Sequence, residues 1–133
     1  MNQKDIRWKQ RFENFENSFL LLKQGLEIEM PSIFERAGII QFFEMTFELS
    51  WKVLKDYLES LGVIAKAPRD VVKEAFRYEI ITDGDAWMDM LSDRNLTVHT
   101  YDELKAKEVE SKIKIVFFPA INHLYLLLKE KAR

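Results

Sequence analysis

The sequence contains no cysteine and little glycine or proline, with four glycines and three prolines among its 133 residues. Without cysteine the chain can form neither disulfide bonds nor thiolate sites, and this composition fits a cytoplasmic protein. Because an all-β fold needs many tight turns, the scarcity of glycine and proline favours long helices. The length fits one domain over residues 1–133, and 47% hydrophobic with 32% charged residues is typical of a folded globular chain.

Neither sign of charge predominates in the sequence. The chain has 20 Lys and Arg residues and 22 Asp and Glu residues, which gives a formal net charge of −2. No overall field therefore attracts phosphate backbones, and any contact with nucleic acid must be local and built by more than one chain. Strictly apolar runs are only a few residues long, and the N-terminal segment is amphipathic. We therefore expect neither a membrane-spanning helix nor a signal peptide.

Hydrophobic residues recur three or four positions apart along most of the chain. This spacing predicts five helices and an all-α fold. The expected helices are Asp5–Ile28, Ser32–Leu61, Ala67–Ile80, a short helix around Trp87, and Thr100–Ala132. We expect them to form a five-helix up-and-down bundle.

Local signals predict where two of these helices begin and where one is disturbed. Ser32 with Glu35, and Thr100 with Glu103, have the spacing of a capping box, in which each side chain accepts from the other residue's free backbone N–H. Pro119 lies within the last helix. Its ring removes a backbone donor and clashes with the preceding turn, so it should kink or interrupt that helix.

The last helix is apolar around most of its circumference. Its large apolar residues are Ile113, Ile115, Val116, Phe117, Phe118, Ile121, Leu124, Leu126, Leu127 and Leu128. They cannot all face one small core, and a helix that is apolar all round is normally buried on several sides. A second copy of the chain is the simplest cover, so we expect dimerisation through helices. His123 lies among these residues and is expected to be a packed structural histidine.

Residues 94–101, which we call the motif, hold the chemistry that the sequence offers. Arg94 carries a planar set of donors that matches phosphate, Asn95 can orient a phosphate or an imidazole, and His99 can exchange a proton near neutral pH. Tyr101 can donate a hydrogen bond or accept a modification. A bend before the last helix would bring these side chains together beside the helix's free N–H groups, which favour phosphate. No carboxylate and histidine cluster has the spacing of a metal site, so we expect no metal or other cofactor.

A structural role for the motif is the alternative. Arg94 and His99 would then cap carbonyl groups at a helix corner, or pair with Asp93 and Asp102. Two other charged groups allow a similar choice. The pair Glu44 and Glu48, with Lys52, is more typical of a polar strip than of acid–base catalysis, and the lysines among residues 105–114 form a solvated face or guide phosphate.

The pattern of Arg94, Asn95, His99 and Tyr101, written R-N-x-x-x-H-x-Y, resembles the signature of the HEPN superfamily of helical domains. It is most similar to the branch of nucleotidyltransferase substrate-binding proteins, also described as HepT-like toxins. The resemblance covers roughly residues 5–130. Besides the motif, the segments that carry it are residues 36–38, 40–44, 47–52, 68–70, 85–87 and 99–103, the last of which overlaps the end of the motif.

This resemblance implies a homodimer whose two motifs face a shared cleft, and a minimal nucleotidyltransferase as partner. It also implies a metal-independent endoribonuclease toxin, in which Arg94 binds the scissile phosphate and His99 acts as general acid or base. Tyr101 would be the residue that the antitoxin-like transferase adenylylates. The alternative within the family is a non-catalytic adaptor that presents nucleotide or substrate to the transferase. A dimeric scaffold without a ligand is the remaining alternative.

Overall fold

A computed structural model describes residues 2–93, 96 and 100–133 of the chain. Within these residues every regular element is helical, which confirms the predicted all-α class. The helices are α1 (Gln3–Leu26), α2 (Ile33–Ser60), α3 (Pro68–Arg77), α4 (Gly84–Ser92), α5 (Glu103–Lys112), a π-helical turn (Ile113–Phe117) and α6 (Phe118–Lys131). The last three follow one another without a break and form a single fifth helix, Glu103–Lys131, as the sequence predicts.

Helices α1 and α2 form an antiparallel pair. The predicted capping box starts α2, since the Glu35 N–H donates to Ser32 Oγ at 3.1 Å and the Ser32 N–H donates to Glu35 Oε1 at 2.9 Å. Successively earlier residues of α1 meet later residues of α2. The contacts that show this are Gly25 with Ile39, Ser18 with Thr46, Arg11 with Asp56, and Arg7 with Glu59.

Helix α2 lies at the centre of the bundle because its remaining faces meet both the last helix and α4. Phe43 stacks on Phe117 with ring centroids 5.1 Å apart, and Phe47 lies 6.2 Å from the Trp87 ring. Helix α1 also reaches the last helix, where Phe19 stacks on Tyr125 at 4.3 Å. These aromatic contacts join α1, α2 and the last helix around one core, with α3 and α4 on its side.

Pro119 disturbs the last helix by widening one turn, and the helix then continues. The N–H of Phe118 donates to the carbonyl of Ile113, five residues back, where a regular α-helix would use the residue four back. A wider turn gives the proline ring space that a regular turn lacks. The predicted disturbance is thus a π-helical turn, after which Phe117 and Ile121 both remain fully buried.

The last helix begins later than the capping-box spacing predicts. Asp102 is its N-cap, since Asp102 Oδ1 accepts from the Lys105 N–H at 3.2 Å. The prediction that Thr100 caps this helix is therefore wrong. Aspartate is at least as good a cap as threonine, and its negative charge also complements the positive end of the helix dipole.

One face of the last helix stays uncovered within a single chain. This outer stripe consists of Ile115, Pro119, His123 and Leu126, all exposed. The prediction that His123 is packed is therefore wrong for the single chain. By length and composition the helix Glu103–Lys131 could span a membrane. It contains an 18-residue window with a mean hydropathy of 1.2, and 33% of that window is buried in the bundle. Its inner face packs on α1 and α2, as the core helix of a bundle does.

Candidate functional site

The motif lies in the connection between α4 and α5. Asp93 ends α4, with its N–H bonded to the Asp89 carbonyl at 2.9 Å, and Asp102 caps α5. The predicted site residues Arg94, Asn95 and His99 lie outside the described residues, so their convergence remains a prediction. Leu96, Thr100 and Tyr101 are described.

Tyr101 stands immediately before the N-cap of α5. Its side chain is 82% exposed, so its phenol oxygen is open to solvent and to a partner protein. It does not lie within the core of the bundle. An exposed tyrosine at a helix start can be approached by a modifying enzyme without any unfolding.

An ion pair connects the two helices that flank the motif. Lys112 Nζ, at the end of α5, donates to Asp93 Oδ2 at 3.0 Å. The same ammonium lies 5.3 Å from the centre of the Phe117 ring, a favourable cation–π distance. Lys112 therefore connects Asp93, at the C-terminal end of α4, to the last helix.

A cleft of about 370 Å³ opens beside this ion pair. We call it the motif cleft, and its lining residues are Asp93, Leu96, Lys105, Glu108, Val109 and Lys112. Leu96 and Val109 supply apolar surface, and the other four residues supply two positive and two negative charges. Because Leu96 belongs to the motif and Asp93 directly precedes it in the sequence, the motif contributes to the wall of the cleft.

The charges in the motif cleft are already paired. Lys105 Nζ lies 3.9 Å from Glu108 Oε2, and Lys112 pairs with Asp93 as described. A ligand of this cleft must therefore compete with carboxylates for each ammonium group, which disfavours a bare anion. Within the part of the chain that the structure describes, no three His, Asp or Glu side chains are grouped as a metal site would require.

The sequence interpretation left the cleft residues of α5 undecided between a solvated face and a guide for phosphate. The structure assigns Lys105, Glu108, Val109 and Lys112 to one cleft. A signal for this was present, because positions i, i+3, i+4 and i+7 share one face of a helix. What the pattern could not reveal is that Asp93 and Leu96 face the same space.

The comparison with protein families matches residues 10–130 to the model described as "Nucleotidyltransferase substrate binding protein like". The chain belongs to this family. The match covers most of the chain, including α2, the motif and all but the last residue of the helix Glu103–Lys131. It confirms the resemblance inferred from the sequence.

Two solved structures share the fold of this family member over nearly their whole length. A protein from Thermus thermophilus is 33% identical, with a TM-score of 0.73, and the match covers 90% of this chain and 98% of that one. HI0074 from Haemophilus influenzae is 30% identical, with a TM-score of 0.74, and the match covers 89% of this chain and 98% of that one. HI0074 is described as having the fold of a substrate binding domain of a nucleotidyltransferase.

A curated relative carries a ribonuclease name. The Haemophilus influenzae protein called Probable ribonuclease HepT is 38% identical over 82 residues. This match covers 58% of the present chain and 56% of that protein, so it spans little more than half the length of the relative.

Proposed function

We propose that this family member is the helical substrate- or nucleotide-binding subunit of a two-component nucleotidyltransferase module, and that it is also a metal-independent endoribonuclease. The observation that carries the proposal is the motif cleft, which is lined by Asp93 and by the motif residue Leu96 in a member of the nucleotidyltransferase substrate-binding family. The ribonuclease name of the Haemophilus influenzae relative supports the catalytic part.

The proposed reaction is cleavage of RNA by its own 2′-hydroxyl group. The 2′-oxygen attacks the neighbouring phosphorus and loses its proton to a base, while the 5′-oxygen leaves and takes up a proton. The products are a 2′,3′-cyclic phosphate and a 5′-hydroxyl end. Arg94 would bind the phosphate and stabilise its developing charge, and His99 would transfer a proton as general acid or base. Asn95 would orient the phosphate or the imidazole.

The proposed partner is a minimal nucleotidyltransferase that acts as antitoxin. It would transfer an adenylyl group from ATP to Tyr101, whose phenol oxygen attacks the α-phosphorus as pyrophosphate leaves and the phenol proton is released. The exposure of Tyr101 supports this role, since the acceptor oxygen is accessible in the folded chain. An added nucleotide beside the motif would also block RNA from reaching Arg94.

The proposed assembly contains a homodimer of this chain. The outer stripe of the last helix supports it, because Ile115 and Leu126 are large apolar side chains left exposed on a core helix. A second copy would cover them. Two motifs would then contribute two arginines, a local positive charge that the net charge of −2 denies to the whole chain.

Incubation of the purified protein with RNA in the presence of a chelator tests the catalytic part. We expect cleavage that leaves 2′,3′-cyclic phosphate ends. The cleavage rate of His99→Ala should be lower by at least about a hundredfold, since a positioned proton-transfer group contributes about 10²–10⁴ in rate. Arg94→Ala should also lose cleavage. Arg77→Ala, which removes an exposed arginine of α3, is the matched control and should cleave normally. Equal cleavage by His99→Ala and the unchanged protein would exclude His99 from the mechanism.

The second candidate function is the non-catalytic adaptor. The description of HI0074 as a substrate binding domain favours it. It predicts no RNA cleavage by this chain. It also predicts that the complex with the transferase binds nucleotide and that Arg94→Ala weakens this binding, again with Arg77→Ala as control. If both Arg94→Ala and His99→Ala change only stability, a scaffold is the better description.

A further inference from the structure

The motif cleft combines an apolar surface with a carboxylate and an ammonium group that lie close together. Glu108 and Lys105 are one helical turn apart on α5, with Nζ and Oε2 separated by 3.9 Å. Leu96 and Val109 line the same space. This combination differs from a phosphate site, where cations and N–H donors dominate and carboxylates are disfavoured.

We propose that the motif cleft binds a nucleobase and that it selects guanine. This inference rests on the proposed function, because it places the base of one RNA nucleotide beside the scissile phosphate. Aromatic bases have two apolar faces and a polar edge. The faces would lie against Leu96 and Val109, and the edge would meet Glu108 and Lys105.

Guanine fits the polar pair better than the other bases do. A carboxylate has two acceptor oxygens and can accept two parallel hydrogen bonds. Guanine presents two adjacent donors, the N1–H and an N2–H, and next to them the O6 acceptor. Glu108 would accept both hydrogen bonds and Lys105 would donate to O6. Adenine and cytosine each offer one amino group at this edge, and uracil offers a single N–H, so none of them satisfies both carboxylate oxygens.

The two ion pairs of the cleft differ in how firmly they are held. Lys112 is fixed by Asp93 at 3.0 Å and by the Phe117 ring. Lys105 and Glu108 are 3.9 Å apart, and both side chains are exposed. A base can therefore separate the Lys105–Glu108 pair at little cost, because exposed pairs at this spacing contribute little to stability. The volume of about 370 Å³ lies in the range of small-ligand pockets.

Binding of single nucleotides tests the inference without requiring catalysis. The probes are the 3′-monophosphates of guanosine, adenosine, cytidine and uridine, titrated into the purified protein by calorimetry. We expect guanosine 3′-monophosphate to bind at least about tenfold more tightly than the other three, the discrimination typical of one bidentate contact. Glu108→Gln should abolish this preference, because an amide offers only one acceptor oxygen.

The matched control is Glu103→Gln. Glu103 is a carboxylate of the same helix, paired with Lys107 at 3.4 Å, but it lines a different cleft. Its substitution should leave the preference for guanosine unchanged. Equal binding of the four nucleotides, or an unchanged preference in Glu108→Gln, would overturn the inference.

Mapping of the cleavage positions on RNA separates this inference from the proposed function. Cleavage next to guanine that becomes indiscriminate in Glu108→Gln would support both. Cleavage that depends on His99 but shows no base preference would refute the guanine site and leave the ribonuclease standing. Absence of cleavage, together with guanosine binding that depends on Glu108, would refute the ribonuclease and leave the guanine site standing.

Discussion

Arg36 and Glu110 form an ion pair between the start of α2 and the end of α5. The Nε of Arg36 donates to Glu110 Oε1 at 2.8 Å, and the side chains are only 8% and 17% exposed. The same guanidinium donates to the carbonyl of Pro31 at 3.2 Å, in the α1–α2 connection. One buried arginine therefore joins three segments, and it holds the helix that carries one wall of the motif cleft.

Removing the carboxylate partner of Arg36 should destabilise the bundle. In Glu110→Gln the buried guanidinium loses its counter-charge, and breaking such a pair typically costs about 3–5 kcal/mol. We expect the free energy of unfolding to fall by an amount near the lower end of this range, about 3 kcal/mol, because Arg36 keeps its hydrogen bond to Pro31. Urea unfolding measures this free energy.

Glu130→Gln is the control, since Glu130 pairs with Arg133 on the exposed surface, and its free energy of unfolding should fall by less than about 0.5 kcal/mol. Equal losses in the two variants would contradict the prediction.

Glu16 should make the bundle less stable in acid. The hydrogen bond from Lys129 at 2.7 Å, and then that from Tyr125 at 2.6 Å, lower the pKa of Glu16 below its ordinary value of 4.5. A carboxyl whose pKa is lowered by folding stabilises the fold above its unfolded pKa. That contribution is lost as the pH falls through the folded pKa.

The measurement for Glu16 is the free energy of unfolding between pH 3 and 7. Glu16→Gln should show a shallower fall in stability below pH 4.5 than the unchanged protein. Glu13→Gln, which removes a neighbouring exposed carboxylate of α1, should keep the original slope. A slope that is unaffected in Glu16→Gln would show that the hydrogen bonds to Glu16 do not contribute.

Tyr125 should cause a separate loss of stability in alkali. Burial, and then its hydrogen bond to the Glu16 carboxylate, raise the pKa of Tyr125 from 10.0 to about 12. A group whose pKa is raised by folding contributes stability below its unfolded pKa and loses it as the pH rises through the folded pKa. Stability should therefore fall from about pH 10 to about pH 12.

Tyr125→Phe keeps the ring stack with Phe19 and removes this titration, so its alkaline decline should be smaller. Tyr78→Phe removes the hydroxyl of an exposed tyrosine and serves as control. The same decline in Tyr125→Phe as in the unchanged protein would contradict the assignment.

The outer stripe of the last helix should be the surface that joins two copies of the chain. Ile115→Glu places a charge in an apolar interface and should convert the proposed dimer into a monomer. Ile64→Glu is the matched control, because both isoleucines are 70% exposed but Ile64 lies in the α2–α3 connection. Light scattering after size-exclusion chromatography gives the mass. A monomeric unchanged protein, or a dimeric Ile115→Glu variant, would refute this interface.

The helices could be predicted from the sequence because their signals are local. The Ser32–Glu35 capping box depends on residues within one turn, and it is present as expected. The misplaced start of the last helix has the same origin. Thr100 and Asp102 are both good caps only two residues apart, and local chemistry does not choose between them. The ends of helices are therefore harder to predict than the helices themselves.

The site could be predicted only in part. The motif is readable because its residue types and spacing are themselves the signal, and family membership over residues 10–130 bears out the resemblance. The motif cleft was not predictable, because its lining combines Asp93 and Leu96 with four residues of α5. Their approach depends on how α4 packs against the last helix.

The sequence by itself determined the all-α class, the five helices found among the described residues, the family and the identity of the candidate chemical groups. These follow from hydrophobic periodicity, capping residues and a contiguous motif, which act over a few positions of the chain. The tertiary structure alone decided that Arg36 meets Glu110, 74 residues away, and that Lys112 meets Asp93. It also decided which face of the last helix is buried and which is exposed in the single chain. Such choices depend on the packing of whole helices against each other, which no local pattern specifies.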